Sequence, residues 1–130
     1  MSISRILAAA LCAVGMAGAI PASAQDAART QAEVRQLLDF VAASGCQFQR
    51  NGEWHDAQAA RSHLERKYDY LRKRQLVPDS EAFIARAATE SSLSGKPYQA
   101  RCGNARPIPS AQWLHTELKR LRAAQGQPRS

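Results

Sequence analysis

Cys12 lies inside an apolar N-terminal stretch, whereas Cys46 and Cys102 stand far apart in the remainder of a 130-residue chain. Arg5 supplies a positive n-region, Ile6–Ile20 an apolar h-region and Ala22-Ser23-Ala24 a small-residue cleavage site, so residues 1–24 read as a secretory signal cleaved after Ala24. A retained membrane anchor fits less well, because the stretch is shorter than the ~20 residues of a spanning helix and Pro21 breaks it. An acylation signal fits poorly too, since Cys12 sits too early and follows Ala9-Ala10-Leu11. Cleavage therefore removes Cys12 and leaves an even pair of thiols in a compartment where disulfides persist. Cys46 and Cys102 are expected to be bonded to each other, with two separate buried thiols as the alternative. Closing the chain between them stabilises by about 4 kcal/mol, a large share of the stability of a domain this small.

What remains after cleavage has room for one core. The apolar positions Ala27, Val34, Leu37, Leu38 and Val41 recur at helical spacing before Gly45, which predicts a first helix from Asp26 to about Ser44. Residues 46–50 alternate, Asn51-Gly52 is a strong hairpin signal, and Glu53-Trp54-His55 returns as the second strand. Asp56 is a candidate cap for a second helix over 56–74, whose Ala60, Leu64, Tyr68 and Leu71 share a stripe. Pro78-Asp79-Ser80 breaks and recaps the chain for a short third helix, and residues 98–102 alternate as a third strand. Ser110 is expected to cap a last helix carrying Trp113, Leu114, Leu118 and Leu121. The expected fold is α+β, with four helices on a small antiparallel three-stranded sheet closed by one disulfide. The folded domain spans 25–124, and 125–130 form a disordered tail.

The cysteine pairing fixes a register. If Cys46 faces Cys102, then Phe48 lies opposite Ala100 and Arg50 opposite Tyr98, while the hairpin sets Phe48 against His55 and Gln49 against Trp54. Alternation turns Cys46, Phe48, Ala100 and Cys102 toward the helices and Gln47, Gln49, Trp54, Gln99 and Arg101 to the other side. A tryptophan on that polar side is either covered by a helix or part of a contact surface, and Arg50, Asn51, Trp54 and Arg101 are the candidate ligand-binding residues.

Four motifs in order resemble a known pattern: Phe48-x-Arg50-Asn51-Gly52-x-x-His55, Ala60-x-x-His63-Leu64-x-x-Lys67, Glu81-x-Phe83-Ile84, and Ser91-Ser92-x-Ser94-Gly95-x-Pro97-Tyr98. They are similar to the YfeK-like family of uncharacterised exported proteins of Gram-negative bacteria, over residues 27–122. The resemblance implies a periplasmic location and no assigned activity, so no catalytic residue is carried over.

Candidate chemistry is thin. His55 and His63, with Asp56 or Glu90, are a conceivable metal set, but eight residues along a helix separate them by about 12 Å unless His55 folds back from the strand end. His115 is a separate surface position. Ser91, Ser92 and Ser94 lack a G-x-S-x-G elbow and suit turns, and Pro97 after Lys96 breaks any phosphate-loop pattern. Glu53 and Glu90 are weak candidates for a carboxylate pair, since Glu53 faces Arg50 across the turn.

The charge balance says more. The chain carries 18 Lys and Arg against 11 Asp and Glu, concentrated in Arg61, Arg66, Lys67, Arg72, Lys73 and Arg74, with Lys119, Arg120 and Arg122 on the last helix. Such stretches draw anionic surfaces or serve as solvated helix faces. Export disfavours nucleic acid. The expected function is a non-catalytic periplasmic protein, without cofactor or metal and without a transmembrane segment after cleavage, that binds an anionic envelope component or a periplasmic protein. The alternative is an exported hydrolase or metal-dependent enzyme using His55, His63 and Ser92 or a neighbouring serine of 91–94.

Overall fold

The computed structural model describes residues 9–13, 15 and 18–126. Among them the elements run α1 (Ala22–Ala43), β1 (Gln47–Arg50), β2 (Glu53–His55), α2 (Ala57–Lys73), α3 (Ser80–Ala87), β3 (Gln99–Arg101), β4 (Ile108–Pro109) and α4 (Ser110–Ala124). Most of the expected signal h-region and the tail residues 127–130 lie outside the described residues or outside any element. No described helix is long and apolar enough to cross a membrane.

Local chemistry accounts for most of these elements. Asn51 and Gly52 both take positive φ, 52° and 82°, the pair that a two-residue hairpin turn needs to match strand twist. Asp56 and Asp79 cap α2 and α3, each side chain accepting from the backbone N–H three residues on, at 2.8 and 2.7 Å. Cationic Arg72 and Lys73 close α2 at the negative end of its dipole.

The sheet is antiparallel in the order β2-β1-β3-β4. Phe48 faces His55 on one side and Ala100 on the other, and Gln49 faces Trp54 and Gln99, the expected register. Cys46 and Cys102 form a disulfide one position beyond the Gln47–Arg101 pair. The expected three strands become four because Ile108 and Pro109 pair with Ala100 and Gln99. Two prolines in three residues argue against a strand, yet an edge strand of two residues tolerates a proline that lacks a ladder donor. Ser110 also departs from expectation. Pro109 is the α4 cap, with no side-chain cap bond, and Ser110 is the first helical residue. Its N–H donates to the Tyr98 carbonyl at 2.9 Å, which continues the β3–β4 pairing into the helix and turns the side chain inward.

The core lies between the inner face of the sheet and the helices. Val34, Leu37 and Val41 of α1, Phe83 and Ile84 of α3 and Leu114 of α4 are essentially fully buried, and Phe48 and Ala100 meet them from the sheet. Trp113 extends this core: its ring stacks on Phe40 at 4.5 Å and meets the edge of Phe48 at 5.2 Å.

A second, polar centre ties three helices. Arg122 of α4 grips Glu33 of α1 with a bidentate pair at 3.0 and 3.1 Å and also bonds both carboxylate oxygens of Glu81 on α3. Ser80 donates to Glu33 at 2.8 Å. The side chains of Glu33 and Arg122 are only 4% and 12% exposed. Burial by itself raises the Glu33 pKa, but the Arg122 and Ser80 hydrogen bonds outweigh it and hold the carboxyl below its ordinary 4.5. At Glu81 the Arg122 hydrogen bond dominates and lowers the value as well.

Two outcomes follow for stability. Replacing Cys46 and Cys102 together by Ser should lower the unfolding free energy by about 4 kcal/mol, read from denaturant midpoints at constant slope; a loss under ~1 kcal/mol would contradict the cross-link's role. Arg122→Met leaves Glu33 buried and unpaired and should cost about 3–5 kcal/mol at neutral pH. Because both carboxyls ionise more readily folded than unfolded, their contribution is complete above the unfolded value of 4.5 and is lost as pH falls through the folded values. The deficit of Arg122→Met relative to the unsubstituted protein should accordingly shrink on acidification, measured by thermal melts from pH 7 to 3.

Candidate functional site

Beyond the hairpin turn, the end of the β1–β3 pair opens into a cleft of about 420 Å³ between the sheet, α2 and the loop after α3. Three of the four motif segments supply its walls: Arg50, Asn51 and His55 from the hairpin, His63 and Lys67 from α2, Ser91, Ser92 and Tyr98 from the last segment. Arg50 follows Phe48 by two and so points to the helix side of the sheet, and the register sets Tyr98 opposite it. His63 and Lys67 are four apart on α2 and share a face.

A directed chain of hydrogen bonds joins them. The Arg50 guanidinium donates to His63 Nδ1. A guanidinium is donor only, so this nitrogen must accept, and the neutral ring's proton sits on Nε2. Nε2 then donates to the Tyr98 hydroxyl at 3.1 Å, and Lys67 Nζ donates to the same oxygen at 3.2 Å and to the Glu90 carbonyl at 3.3 Å. Tyr98 accepts twice and keeps its own O–H to give.

Electrostatics agree with that direction. Burial, then the cations Arg50, Lys67 and Arg66, and then His55, push the His63 pKa down to about 4, so the ring is neutral at physiological pH. Burial and the neighbouring Arg50 likewise lower Lys67, against a smaller opposing pull from Glu90. Burial raises Tyr98, with Arg50 opposing. Among the described residues, neither Arg50 nor Lys67 belongs to an ion pair, whereas Arg61, Arg72, Arg120 and Arg122 do. Glu53 is the single carboxylate lining the cleft; Arg50 is its partner in the ladder but aims at His63 instead. A second groove of about 330 Å³ shares His63, Lys67 and Ser92 and adds Arg66 and Arg86.

The structure divides the sequence-derived ligand-binding set. Arg50 and Asn51 belong to the cleft, while Trp54 and Arg101 lie on the opposite face of the sheet, the guanidinium 4.1 Å above the indole ring. That cation–π contact, with a hydrogen bond from Arg101 to Gln47, covers the half-buried tryptophan without any helix. His55, His63 and Ser92, the alternative catalytic or metal set, do line one cavity, because His55 folds back from the end of β2. Both ring nitrogens of His63 are nonetheless engaged. Ser91 is buried and accepts from the backbone of Leu93 and Ser94, and Ser94 donates to Asn51 at 2.6 Å, so these two hydroxyls build the turn and pin it to the hairpin. Among the described residues no cluster of three or more His, Cys, Asp and Glu side chains is placed to hold a metal ion. His115 is exposed on α4, away from the cleft lining.

A family of unknown function (DUF5329) matches residues 28–122. The chain belongs to this family. Every residue of the cleft falls within the matched span, and the family match together with the relative below bears out the resemblance drawn from the motifs. Over 80 residues the chain is 36% identical to the uncharacterized protein YfeK of Salmonella typhimurium strain LT2, covering 61% of this chain and 65% of that protein. The alignment thus spans a little under two thirds of the relative's length. No solved structure matches.

Lys67 and Tyr98 were missed as site residues by sequence reasoning, although the signal was there: His63 to Lys67 is one helical turn, and the cysteine register sets Tyr98 against Arg50.

The pKa of His63 is measurable by NMR titration of its ring carbons. We expect a midpoint near 4, and an upward move toward the ordinary 6.5 in Arg50→Gln, since one opposing cation is removed. Because the folded value lies below the unfolded one, the neutral ring's contribution is complete above pH 6.5 and declines as pH falls toward 4. A wild-type midpoint at or above 6.5 would contradict the proton placement.

Proposed function

We propose that this DUF5329 member is a non-catalytic binding protein that holds an anionic, acceptor-rich ligand in the Arg50–His63–Lys67–Tyr98 cleft. The observation that carries the reading is the convergence of two cations that belong to no ion pair among the described residues with a tyrosine hydroxyl that already accepts from a neutral histidine and from Lys67. Half-buried cations that repel one another raise the free energy of the ligand-free protein, and an anion placed between them relieves both the repulsion and the lost hydration. Arg66 and Arg86 in the adjoining groove extend the same field to a longer anion.

The location we infer is the periplasm, after cleavage of residues 1–24. Two features support it: the signal-like N-terminus and the Cys46–Cys102 disulfide. Cleavage after Ala24 would trim only the first three residues of α1, whose first buried side chain is Thr30, so the domain over 25–124 would keep its core. The ligand class that suits such a site is an envelope component bearing carboxylate or phosphate, or an acidic segment of another protein.

A hydrolase or metal-dependent reading draws on the shared cavity of His55, His63 and Ser92. It is weaker, because a histidine with a pKa near 4 that accepts from a guanidinium is a poor base, and its second nitrogen is spent on Tyr98.

Titration of residues 25–130 with sodium acetate, inorganic phosphate and zinc chloride, followed by amide NMR shifts, tests the choice. Acetate or phosphate should perturb the amides around Arg50, His63 and Tyr98, and the Arg50→Gln, Lys67→Gln double variant should weaken that binding about tenfold or more. Saturable zinc binding in the cleft with no response to either anion would overturn the proposal in favour of the metal-dependent reading.

A further inference from the structure

The cleft has a neighbour that its anion-binding character does not explain. Beside it lies a narrow recess of about 40 Å³, sharing Arg50, His55, His63 and Tyr98 with the cleft and otherwise walled mainly by apolar groups, among them Phe48, Leu64, Ala88 and Leu114, with Gln49 at one side. Ser110 lines this recess. The residue is only 5% exposed, and its hydroxyl has no hydrogen-bond partner among the described residues. A buried hydroxyl without a partner destabilises the fold, and here the usual role of a serine at a helix start does not account for it, because α4 has no side-chain cap bond. At roughly 10–15 Å³ for each water-sized occupant, the recess of about 40 Å³ has room for about three or four such centres.

We propose that the recess is a subsite for a compact uncharged group with one hydrogen-bonding oxygen, such as an acetyl group, carried by the carboxylate that the cleft binds. The inference rests on the anion-binding reading and adds the other end of the ligand to it. The carboxylate sits at the mouth on Arg50, Lys67 and the Tyr98 hydroxyl. The small group passes inward between His55 and Tyr98, its methyl against Leu64 and Ala88, and its oxygen accepts from Ser110. Apolar walls reject a second charge there, since none of the deeper residues offers a counter-ion. The small volume disfavours groups bulkier than acetyl. Specificity thus divides along the ligand: charge is read at the wide polar mouth, size and one hydrogen bond at the narrow end.

Three probes of equal charge decide the matter: acetate, which has only the head; N-acetylglycine, which adds the acetyl group; and N-pivaloylglycine, whose tertiary butyl group exceeds the recess. Dissociation constants for residues 25–130 come from NMR titration at fixed ionic strength. N-acetylglycine should bind about tenfold tighter than either of the other two. Ser110→Ala should lose most of that preference and keep a thermal midpoint at or above that of the unsubstituted protein, because an unpartnered buried hydroxyl is removed. The pivaloyl comparison needs no variant and stands even if Ser110→Ala fails to fold. Equal affinity for acetate and N-acetylglycine, or equal affinity for the acetyl and pivaloyl compounds, would overturn the subsite while leaving the anion cleft in place. A preference that persists undiminished in folded Ser110→Ala would overturn the role of its hydroxyl. Absence of binding by all three would overturn the cleft reading and the subsite together.

Discussion

The covalent link between Cys46 and Cys102 joins positions 56 apart in sequence and fixes how β1 lies against β3. A slip of one residue would send Phe48 and Ala100 out of the core and turn Arg50 to the opposite side of the sheet. Strands of four and three residues carry too few ladder bonds to exclude such a slip by themselves. The bridge stands at one end of the pair and Arg50 with Tyr98 at the other, so the register that the sulfurs set is read out four positions later as the geometry of the cleft. The Asn51-Gly52 turn then carries His55 back over the same end, and the Ser94–Asn51 hydrogen bond holds the following loop to it.

Positive charge is used in two opposite ways. Away from the cleft, Arg122 is buried between two carboxylates and a serine, and both carboxylates are hydrogen-bonded to its guanidinium. It joins α1, α3 and α4. In the cleft, Arg50 and Lys67 share a neutral histidine and a tyrosine hydroxyl, groups that offer lone pairs but no negative charge. The first arrangement stabilises the folded state and is complete within the protein. The second is a set of donors left over after internal bonding, and donors left over inside a concave site are what an external acceptor meets.

What was legible in the sequence was what local chemistry or one long-range link determines. The hairpin followed from Asn51-Gly52, the helix starts from Asp56 and Asp79, and the pairing of β1 with β3 from the two cysteines that export would leave together. β4 was not legible, because Pro107 and Pro109 flank Ile108 and only the position of α4 brings these residues alongside β3. Ser110 was misread for a related reason: a serine ahead of an apolar stripe looks like a cap, but the strand pairing commits its N–H to Tyr98 and points its hydroxyl inward. Arg122 looked like one more basic residue on a solvated face, since nothing near it in sequence names Glu33 or Glu81 as its partners. At the candidate site the sequence grouped Arg50, Asn51, Trp54 and Arg101, and the structure parts them. Trp54 and Arg101 satisfy each other on the outer face, while Arg50 turns the other way to His63.

The distance estimate that separated His55 from His63 shows how such grouping escapes a one-dimensional reading. Eight residues are over two turns if both lie on one helix, but His55 ends β2 and α2 begins at Ala57, so the chain reverses direction between them. That reversal is set by the Asp56 cap, whose extended backbone conformation redirects the chain from sheet to helix. Once the reversal is fixed, a histidine from the sheet and one from the helix must face the same space, and the cations that flank them on either element accumulate there. Burial first, and then proximity to Arg50, Lys67 and Arg66, keeps His63 unprotonated, and an unprotonated His63 is the only form that can accept from Arg50 while donating to Tyr98. That the Tyr98 hydroxyl accepts from His63 is therefore a consequence of burial and crowded like charges around one ring, while the Arg122 centre and the disulfide stand outside the cleft lining.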